Sequence, residues 1–454
     1  MNLPNYFLAD LPPEATLTAV MIAEACQTLK HNREQYLAKR STNSIVAMLA
    51  EVGDNWLNAS HPIRKFALQE GPKETGFSTA TLAKGLDNFF KQLTAENLNT
   101  LLAQELGHAQ RLDAMSASSA EMKFNRAAFA QGPEFLVHVA AGNIPNPTLM
   151  SIVLGLLLRS AQFVKCASGA AFLPRLFAHS IYDVDHKVGA CLEIALWRGG
   201  HSMVEDALFA EADCVTATGS DETLAAIRAK LPIKTRFVGY GHRVSFGYVA
   251  AGALVGFNAK KVVARAATDI VAWNQLGCLS PHVIYVEHGG GVSAEQFAEM
   301  LADELKQREE AEPRGEISTA HAAAIASRRG FYEVRAAHSP DTRMWRSENS
   351  TAWTVVYESD PKFQMSCLNR FIYVKGTPDL NEALHGADNE RGKVSTVGLA
   401  APDDKAEELA TELARWGVTR VCPLGQMQNP PLLWRHDGRP ALGDLVTWTD
   451  WEQI

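Results

Sequence analysis

Short apolar strands alternate with helix-like stretches between residues 135 and 241, and this alternation restricts the possible folds more than any other feature of the chain. The strand-like runs, each ending in small or polar residues, are FLVHVA (135–140), AQFVKCAS (161–168), ADCVTATGS (212–220) and TRFVGYG (235–241). Strands that alternate with helices form βαβ units, so we expect an α/β fold with a mostly parallel, doubly wound sheet. Ligands of such sheets bind at the carboxyl ends of the strands.

The remaining sequence divides into segments that differ in composition and in the spacing of apolar residues. Residues 1–110 read as helices, with apolar residues at helical spacing, and residues 111–243 contain the alternating pattern. Residues 244–420 form a second α/β region with the strand-like stretches HVIYVE, WTVVYE, RFIYVK and STVGLA. Residues 421–454 are rich in Pro, Gly and Trp, which favours an extended tail packed on another surface, such as a second subunit.

Composition and charge argue against several classes of protein. The 454 residues carry a net charge of -8 and no continuous basic run, so we expect no nucleic-acid partner. The longest apolar runs, 152–158 and 249–257, are too short to span a bilayer, and the first residues do not resemble a signal peptide. The seven cysteines are scattered and lack a CxxC, which predicts a reduced cytoplasm, no disulfide framework and no metal site.

Cys278 lies at a junction that suits chemistry. The stretch VAWNQLGCLSPHVIYVE changes there from a helix-like run to a buried-strand pattern. Pro281 prevents the preceding helix from continuing, and Gly277 keeps bulk away from the sulfur. A substrate can reach a thiol at such a boundary, but free cysteine is also among the most buried residue types. This stretch alone therefore leaves a catalytic and a structural cysteine equally open.

The predicted sheet lacks the standard phosphate-binding loops. GxGxxG does not follow the first strand, and GxxxxGK[ST] is absent from the chain. The strand ends offer Lys165, with Ser168 three residues later, and Gly219 with Ser220 at the start of a helix. A strand-end lysine can bind ribose hydroxyls or a phosphate, and a helix N-terminus can accept an anion. A surface lysine and an ordinary N-cap serine explain the same residues equally well.

Asn143 and three histidines are the other polar candidates. Asn143 lies in the loop AGNIPNP, where its amide either donates to a reacting oxygen or simply forms a turn. His242 and His282 would each suit a Cys/His hydrolase or acyltransferase, although a proline breaks any helix between Cys278 and His282. His138, within the first strand, is interpreted as a hydrogen-bonded core histidine.

Taken in order, these segments resemble the aldehyde dehydrogenase superfamily, and more closely its acyl-CoA reductase branch of the LuxC type. The resemblance lies in the order of an asparagine loop, a strand-end lysine, a GS helix start and a Cys-x-Ser-Pro, since no single motif would suffice. The motifs that carry it are GFSTATLAKGLDNFF, HVAAGNIPNPTLMSIVLGLLLRSAQFVKCAS, ALWRGG, ADCVTATGSDETLAAI, VGYGHRVSFG, NQLGCLSPHVIYVE, STVGLA and GVTRVCPLG through WRHDG.

The resemblance implies a role for each matching residue. Cys278 would be the nucleophile, and Asn143 would donate to the oxyanion beside the backbone amide of Cys278. The residues that would bind the cofactor are Lys165, Ser168, Gly219, Ser220 and Gly241. Ser168 stands where NAD-preferring aldehyde dehydrogenases often carry a glutamate, which would repel a 2′-phosphate, so the resemblance favours NADPH.

The same resemblance assigns a part to each segment. Residues 1–110 would pack on the cofactor domain, residues 111–243 would bind NADP, residues 244–420 would carry the nucleophile, and residues 421–454 would serve oligomerisation. It implies a cytoplasmic homo-oligomer that takes acyl-CoA or acyl-carrier protein, together with a partner enzyme that activates or transfers the acyl group.

Two family features are missing. Residues 237–243 match the motif that carries a general-base glutamate in hydrolytic relatives, with Gly239 or a close neighbour in its place, and no ExFGP is present. Without a base for water, an acyl-cysteine would survive to receive hydride, so we expect a thioester reductase that forms an aldehyde. The alternatives are a cysteine acyltransferase or thioesterase without a redox step, and an amino-acid semialdehyde dehydrogenase acting on an acyl phosphate.

Overall fold

The computed structural model describes residues 3–12 and 14–452, so predictions for residues 1, 2, 13, 453 and 454 lie outside the described residues. The α-helices are α1 (Ala19–Asn32), α2 (Thr42–Leu57), α3 (Pro62–Thr75), α4 (Thr79–Phe90), α5 (Ala95–Leu106), α6 (Ser119–Met122), α7 (Asn146–Leu157), α8 (Phe172–Val184), α9 (His186–Gly189), α10 (Ser202–Glu211), α11 (Asp221–Lys230), α12 (Asn258–Val271), α13 (Ala294–Ala311), α14 (Thr319–His338), α15 (Leu380–Gly386) and α16 (Asp403–Trp416). The strands are β1 (Arg126–Gln131), β2 (Phe135–Val139), β3 (Ala161–Cys166), β4 (Leu192–Leu196), β5 (Cys214–Thr218), β6 (Arg236–Tyr240), β7 (Val244–Val249), β8 (Pro281–Glu287), β9 (Thr342–Arg346), β10 (Thr354–Glu358), β11 (Phe371–Thr377), β12 (Val394–Ala400), β13 (Arg420–Pro423) and β14 (Thr447–Glu452). Across residues 3–12 and 14–452, no helix is long and apolar enough to cross a membrane.

The chain forms two compact units. The first contains the chain up to Thr75, Leu86–Gly241 and the chain from Pro431 onward, and the second contains Gly76–Gly85 and His242–Pro430. The predicted boundary at residues 243 and 244 lies two residues beyond this division. Residues 421–430, which the prediction assigns to the tail, belong to the second unit. The separate roles of the four predicted segments stay a prediction.

The first unit contains a five-stranded parallel sheet with the strand order β4-β3-β2-β5-β6. The chain starts in the centre at β2, builds two strands to one side, and then returns to build β5 and β6 on the other. This confirms the predicted parallel, doubly wound sheet, and it places the change of direction between β2 and β5. The edge strand β4 is not predicted, because its sequence LEIAL is short and interrupted by a glutamate.

Helices cover both faces of this sheet. On one face, apolar side chains of α1, α10 and α11 form a single core with those of the strands. On the other face, α7 packs on β2 and β3 while α8 packs on β4. Gly155 of α7 lies so close to Gln162 of β3 that an added Cβ would come within 2.3 Å of the glutamine amide. The small residue therefore lets α7 pack directly on the sheet.

His138 links three neighbouring strands inside this sheet. Its Nε2 lies 2.9 Å from Oε1 of Gln162 on β3, and its Nδ1 lies 2.6 Å from Oγ1 of Thr216 on β5. Because Gln162 offers an acceptor, the ring carries its proton on Nε2 and accepts from the Thr216 hydroxyl at Nδ1. Burial lowers the pKa of His138 to about 4. The histidine is thus neutral and fully hydrogen-bonded, which confirms its interpretation as a core residue.

The second unit contains a seven-stranded sheet with the order β13-β12-β7-β8-β11-β10-β9, in which only the edge strand β9 is antiparallel among the described strands. One face packs on α12 and α13, and the other packs on α14, α15 and α16. The four predicted strands are present as β8, β10, β11 and β12. The sequence pattern does not reveal β7, whose residues VSFGYV are buried on both faces and therefore do not alternate.

The tail packs on its own chain in the first unit. Strand β14 pairs with β1 in an antiparallel ribbon, and Arg236 of β6 donates to the carbonyl of Val446 at 2.8 Å. Tyr240 stacks on His436, with ring centroids 4.3 Å apart. The tail therefore covers the outer strand β6, while Trp448 and Trp451 remain exposed.

We predict that His138 makes the stability of the protein depend on pH. The pKa of His138 is lower in the folded chain than the value of roughly 6.5 for an unfolded histidine. The free energy of unfolding should therefore fall by about 3 kcal/mol as the pH falls from 6.5 to 4. A His138→Leu variant should be less stable at pH 7, because Gln162 and Thr216 lose their partner, but its stability should vary less across this interval. Urea unfolding at pH 7, 6 and 5 measures both effects, with the exposed His31→Leu as the control. An unchanged pH dependence in His138→Leu would contradict the assignment.

Candidate functional site

Cys278 lies in a turn between α12 and β8, in the second unit. The helix ends at Val271, ten residues before Pro281, so the proline is not what terminates it. The backbone N–H of Ser280 donates to the carbonyl of Gly277 at 2.9 Å, which closes a turn around the cysteine. Cys278 and Cys367 are half-buried, whereas the other five cysteines are buried. The expected accessible position at a junction of elements is therefore present.

Three successive residues with left-handed φ values follow the end of α12 and lead into the Cys278 turn. Trp273, Asn274 and Gln275 have φ values of 50°, 51° and 64°, which non-glycine residues rarely adopt. Trp273 is buried against Gly85, where any side chain would overlap the indole ring. The indole ring of Trp273 therefore has room because position 85, which belongs to the same unit, is a glycine.

Hydrogen bonds hold this left-handed stretch on both sides. The Asn274 amide accepts from the guanidinium of Arg370 at 3.0 and 3.2 Å and donates to the carbonyl of Arg314 at 2.7 Å. The Gln275 amide donates to the carbonyls of Pro281 and Phe371 at 2.7 and 2.9 Å. Both side chains are buried, so breaking these bonds would leave unpaired polar groups. The backbone leading to Cys278 is therefore fixed rather than adaptable.

Two further side chains contact the Cys278 turn, and the sequence pattern identifies neither. The hydroxyl of Ser245 on β7 donates to the carbonyl of Cys278 at 2.9 Å. The amide of Gln428 donates to the hydroxyl of Ser280 and lies where a side chain on Gly277 would be. Gly277 therefore leaves room for Gln428, in addition to the predicted space near the sulfur. Gln428 is 148 positions from Ser280 in the sequence, so no local pattern predicts this contact.

The two histidines near this region have different surroundings. His282 is buried on β8, and its Nδ1 accepts the backbone N–H of Ser366 at 3.1 Å. Burial, with a smaller effect from His242, lowers the pKa of His282 to about 4. Such a ring is a weak base near neutral pH. His242 is exposed in the loop before β7.

The predicted cofactor residues lie at the carboxyl edge of the sheet in the first unit, together with Asn143. The loop after β2 and the loop after β3 approach closely, since a Cβ on Gly142 would come within 3.0 Å of the Cβ of Ala167. The N–H of Gly219 donates to the carbonyl of Tyr240 at 3.2 Å, which joins the ends of β5 and β6. The residues brought to this edge are Asn143, Lys165, Ser168, Gly219, Ser220 and Gly241. Cys278 belongs to the other unit.

Lys165 is half-buried and shares its surroundings with an acidic residue that the sequence analysis misses. Its ammonium group lies 5.9 Å from the centroid of the Trp197 ring. Burial lowers the pKa of Lys165, and the carboxylate of Glu205 on α10 opposes this effect. Glu205 also accepts from Lys230 at 2.7 Å and from the N–H of Gly200 at 2.9 Å. Glu205 therefore supplies a negative charge close to the predicted ribose-binding lysine.

The helix start at Ser220 is a conventional N-cap with acidic neighbours. The Ser220 hydroxyl accepts from the N–H of Thr223 at 3.3 Å, and Asp221 and Glu222 occupy the first turn of α11. Gly241 has no room for a side chain, because a Cβ would come within 2.5 Å of the Asp221 carboxylate. The carboxylates complement the positive end of the helix and would weaken its attraction for a pyrophosphate. Exposed Ser168, by contrast, lies in an open turn next to Gly169.

Comparison with known proteins gives consistent results. A family model described as acyl-CoA reductase (LuxC) matches residues 37–448. A protein of Aliivibrio fischeri named long-chain acyl-protein thioester reductase is 24% identical over 422 residues, which cover 90% of this chain and 82% of that protein.

Solved structures share the fold at low sequence identity. Glyceraldehyde-3-phosphate dehydrogenase GapN from Methanocaldococcus jannaschii, complexed with NADP, is 14% identical with a TM-score of 0.68, over 96% of this chain and 95% of that one. Bifunctional proline utilization A is 15% identical with a TM-score of 0.70, and the chain spans 45% of its length.

Proposed function

Because the chain belongs to the acyl-CoA reductase (LuxC) family and has the aldehyde dehydrogenase fold, we propose that it reduces acyl thioesters to aldehydes. The expected family and fold are confirmed by these comparisons. The acyl group would be carried by CoA, a carrier protein or another protein thiol, and Cys278 would hold it as an acyl-enzyme. The observation that carries the proposal is the half-buried Cys278 in a turn held by buried hydrogen bonds, next to strands β7 and β11, which contain no carboxylate.

The first step is acyl transfer to Cys278. The thiolate sulfur attacks the thioester carbonyl carbon, a new C–S bond forms, and the bond to the departing thiol breaks, after which that thiolate takes a proton from water. Negative charge collects on the carbonyl oxygen during the attack. We assign the Asn143 amide and the backbone N–H of Cys278 as the donors to this oxygen, because preorganised donors stabilise the charge as it forms.

The second step is reduction of the acyl-enzyme. NADPH, when bound, supplies the hydride that adds to the acyl carbon. The same donors then stabilise the oxyanion of the cysteine-bound thiohemiacetal. As the carbonyl re-forms, the bond to the Cys278 sulfur breaks and the aldehyde leaves, so the thiolate is restored for another cycle.

The strands beside Cys278 support transfer to hydride in preference to water. Strand β8, which follows the Cys278 turn, pairs with β7 and β11. Their sequences, VSFGYV and FIYVKGT, contain no aspartate or glutamate, and β7 presents Ser245 to the cysteine backbone. Gly239, the position identified from the sequence as lacking the base, lies on β6 of the first unit. Strands β7 and β11, which adjoin the strand that follows the cysteine, therefore offer no carboxylate that could activate water.

The carboxyl edge of the first unit has features that fit a dinucleotide. The strand order reverses between β2 and β5, which is where such sheets bind nucleotides. Lys165 would bind the adenosine ribose, and Ser168 would leave room for a 2′-phosphate. Gly219 and Ser220 would open the helix that faces the pyrophosphate, with Gly241 directly after the adjoining strand. We therefore propose NADPH as the cofactor.

The alternative of a cysteine acyltransferase with a histidine base has less support. His282 is buried and accepts a backbone N–H at Nδ1, and burial lowers its pKa to about 4, so it is a weak base near neutral pH. The protein would then be an acyltransferase or thioesterase with no redox step. The other alternative is an amino-acid semialdehyde dehydrogenase that acts on an acyl phosphate. No basic cluster identified among the described residues favours such a small anionic substrate.

We also propose a cytoplasmic homo-oligomer that receives acyl groups from an activating or transferring enzyme. The seven free cysteines agree with a reducing compartment. The exposed Trp448 and Trp451 on the tail ribbon would suit contact with a second subunit.

We predict that Cys278→Ala abolishes both acyl-enzyme formation and acyl-dependent NADPH oxidation, with a fall in rate of at least about 1000-fold, because the nucleophile is lost. NADPH binding, followed by nucleotide fluorescence, should persist. Intact-protein mass spectrometry after mixing with acyl-CoA measures the acyl-enzyme. Cys367→Ala, which removes the other half-buried cysteine, is the matched control and should retain activity. Turnover of acyl-CoA by Cys278→Ala would overturn the proposed mechanism.

We predict that Glu205 weakens the preference for NADPH. Glu205→Gln should tighten NADPH binding by about threefold to tenfold, because the carboxylate no longer repels the 2′-phosphate or offsets the charge of Lys165. NADH binding should change little. Ser168→Glu should act in the opposite direction. Titration of both variants with both nucleotides tests the assignment, which fails if Glu205→Gln leaves the NADPH to NADH affinity ratio unchanged.

A further inference from the structure

An uncharged loop contacts the Cys278 turn. Residues 424–430, LGQMQNP, contain no ionisable side chain and follow β13 directly. Gln428 of this loop donates to the Ser280 hydroxyl and fills the space beside Gly277. Gln428 thus contacts the Cys278 turn at Gly277, directly before the cysteine, and at Ser280, two residues after it. Whatever holds the loop also holds the turn.

Two buried ionisable residues contact the backbone of the loop, Arg420 from β13 and Asp269 from α12. Arg420 donates to the carbonyls of Met427 and Gln426 at 2.7 and 2.9 Å. Asp269 of α12 accepts the N–H groups of Gly425 and Met427 at 2.5 and 2.9 Å. Arg420 is 8% exposed and Asp269 is 1% exposed, so neither charge is well hydrated. Charge-assisted hydrogen bonds to backbone groups are among the stronger ones in proteins.

The sheet register brings Arg420 toward the cysteine. Arg420 on β13 pairs with Thr396 on β12, Thr396 pairs with Ser245 on β7, and Ser245 pairs with Pro281 on β8. The Ser245 hydroxyl joins this row to the cysteine, because it accepts the N–H of Thr396 at 3.2 Å and donates to the Cys278 carbonyl. Arg420 therefore lies in the same row of paired residues as Pro281, the first residue after the Cys278 turn.

Arg420 and the Cys278 thiol are within electrostatic range of each other, although Cys422 and Asp269 interact with Arg420 more strongly. Burial lowers the pKa of Arg420, while Cys422, Asp269 and Cys278 act against that effect. An arginine remains protonated in spite of such shifts. A permanent cation near a thiol favours the thiolate, which is the form that attacks a carbonyl carbon.

Other ionisable groups lie on the elements around the Cys278 turn, and Arg243 is another permanent cation among them. On the elements that adjoin the turn, the ionisable residues are His242 and Arg243 before β7, Lys260, Lys261, Arg265 and Asp269 on α12, His282 and Glu287 on β8, Cys367 and Arg370 before β11, Lys375 on β11, and Cys422 on β13. His282 is neutral, and Arg370 pairs with Glu309 at 2.8 Å. Burial raises the pKa of Asp269 to about 7, so its carboxylate offsets Arg420 only as the pH rises above neutrality.

We propose that Arg420 is a positioning residue for Cys278: it holds the loop of residues 424–430 against the turn and favours the thiolate through its charge. In catalysis this role rests on the proposed thioester reduction, but the reactivity of the thiol can be measured without that reaction. Substitutions at two positions separate the two parts of this role. Gln428 contacts the turn but has no charge, whereas Arg420 both holds the loop and carries a charge.

The test is the pH dependence of alkylation by iodoacetamide, in which the Cys278 thiolate forms an S–C bond and iodide leaves. Peptide mass spectrometry on the full chain follows Cys278, with Cys367 as the internal reference. In Arg420→Gln, we expect the midpoint of the Cys278 profile to move to higher pH and the rate at pH 7 to fall about threefold to tenfold. Arg420→Lys keeps the charge and should restore most of the midpoint. The Cys367 profile should not change.

Gln428→Ala separates geometry from charge and remains informative if the arginine variants do not fold. It should change the alkylation rate at high pH, where all of the thiol is ionised, without moving the midpoint. Equal midpoints in wild type and Arg420→Gln, with a folded variant by circular dichroism, would overturn the electrostatic role. An unchanged plateau rate in Gln428→Ala would overturn the positioning role of the loop. A shifted midpoint in a protein that reduces neither acyl-CoA nor acyl groups on a carrier protein or another protein thiol would uphold this inference and reject the proposed function instead.

Discussion

The position of Cys278 depends on three consecutive left-handed residues, 273–275, which reverse the chain between α12 and β8. Each such residue costs free energy of order 1–3 kcal/mol, so the conformation persists only where the surroundings hold it. Here the buried amides of Asn274 and Gln275 bind side-chain and backbone groups that precede β11 and begin β8. A fixed backbone at a nucleophile keeps the thiol and its own N–H in a constant relation, which acyl transfer requires.

The two units present their candidate residues at opposite ends of their strands. In the first unit, the residues assigned to the cofactor follow β3, β5 and β6, at the carboxyl edge where the strand order reverses. In the second unit, Cys278 precedes β8, at the amino edge. His138 stabilises the register of the central strands in the first sheet, and Ser245 joins β7 to the cysteine turn in the second. Each set of residues is thus supported by hydrogen bonds inside its own sheet.

Much of this architecture can be read from the sequence, because apolar strands, glycine loops and the Cys-Leu-Ser-Pro junction are local signals. The parallel sheet of the first unit, the core position of His138 and the accessibility of Cys278 all follow from them. Strand β4 is too short and β7 too uniformly apolar to be recognised, and the chain of residues 421–430 gives no local sign that it joins the second unit. Arg420, Gln428 and Glu205 act through contacts or charges between residues distant in sequence, so composition and periodicity do not identify them.

The central claim is that the acyl group on Cys278 is transferred to hydride and not to water. It is tested most directly by isolating the acyl-enzyme after brief mixing with acyl-CoA, and then following its decay with and without NADPH by rapid quench and mass spectrometry. We expect the acyl-enzyme to persist alone and NADPH to discharge it at least about 100-fold faster as aldehyde, in amounts equal to the NADPH consumed. Release of free fatty acid at the same rate with and without NADPH would contradict it.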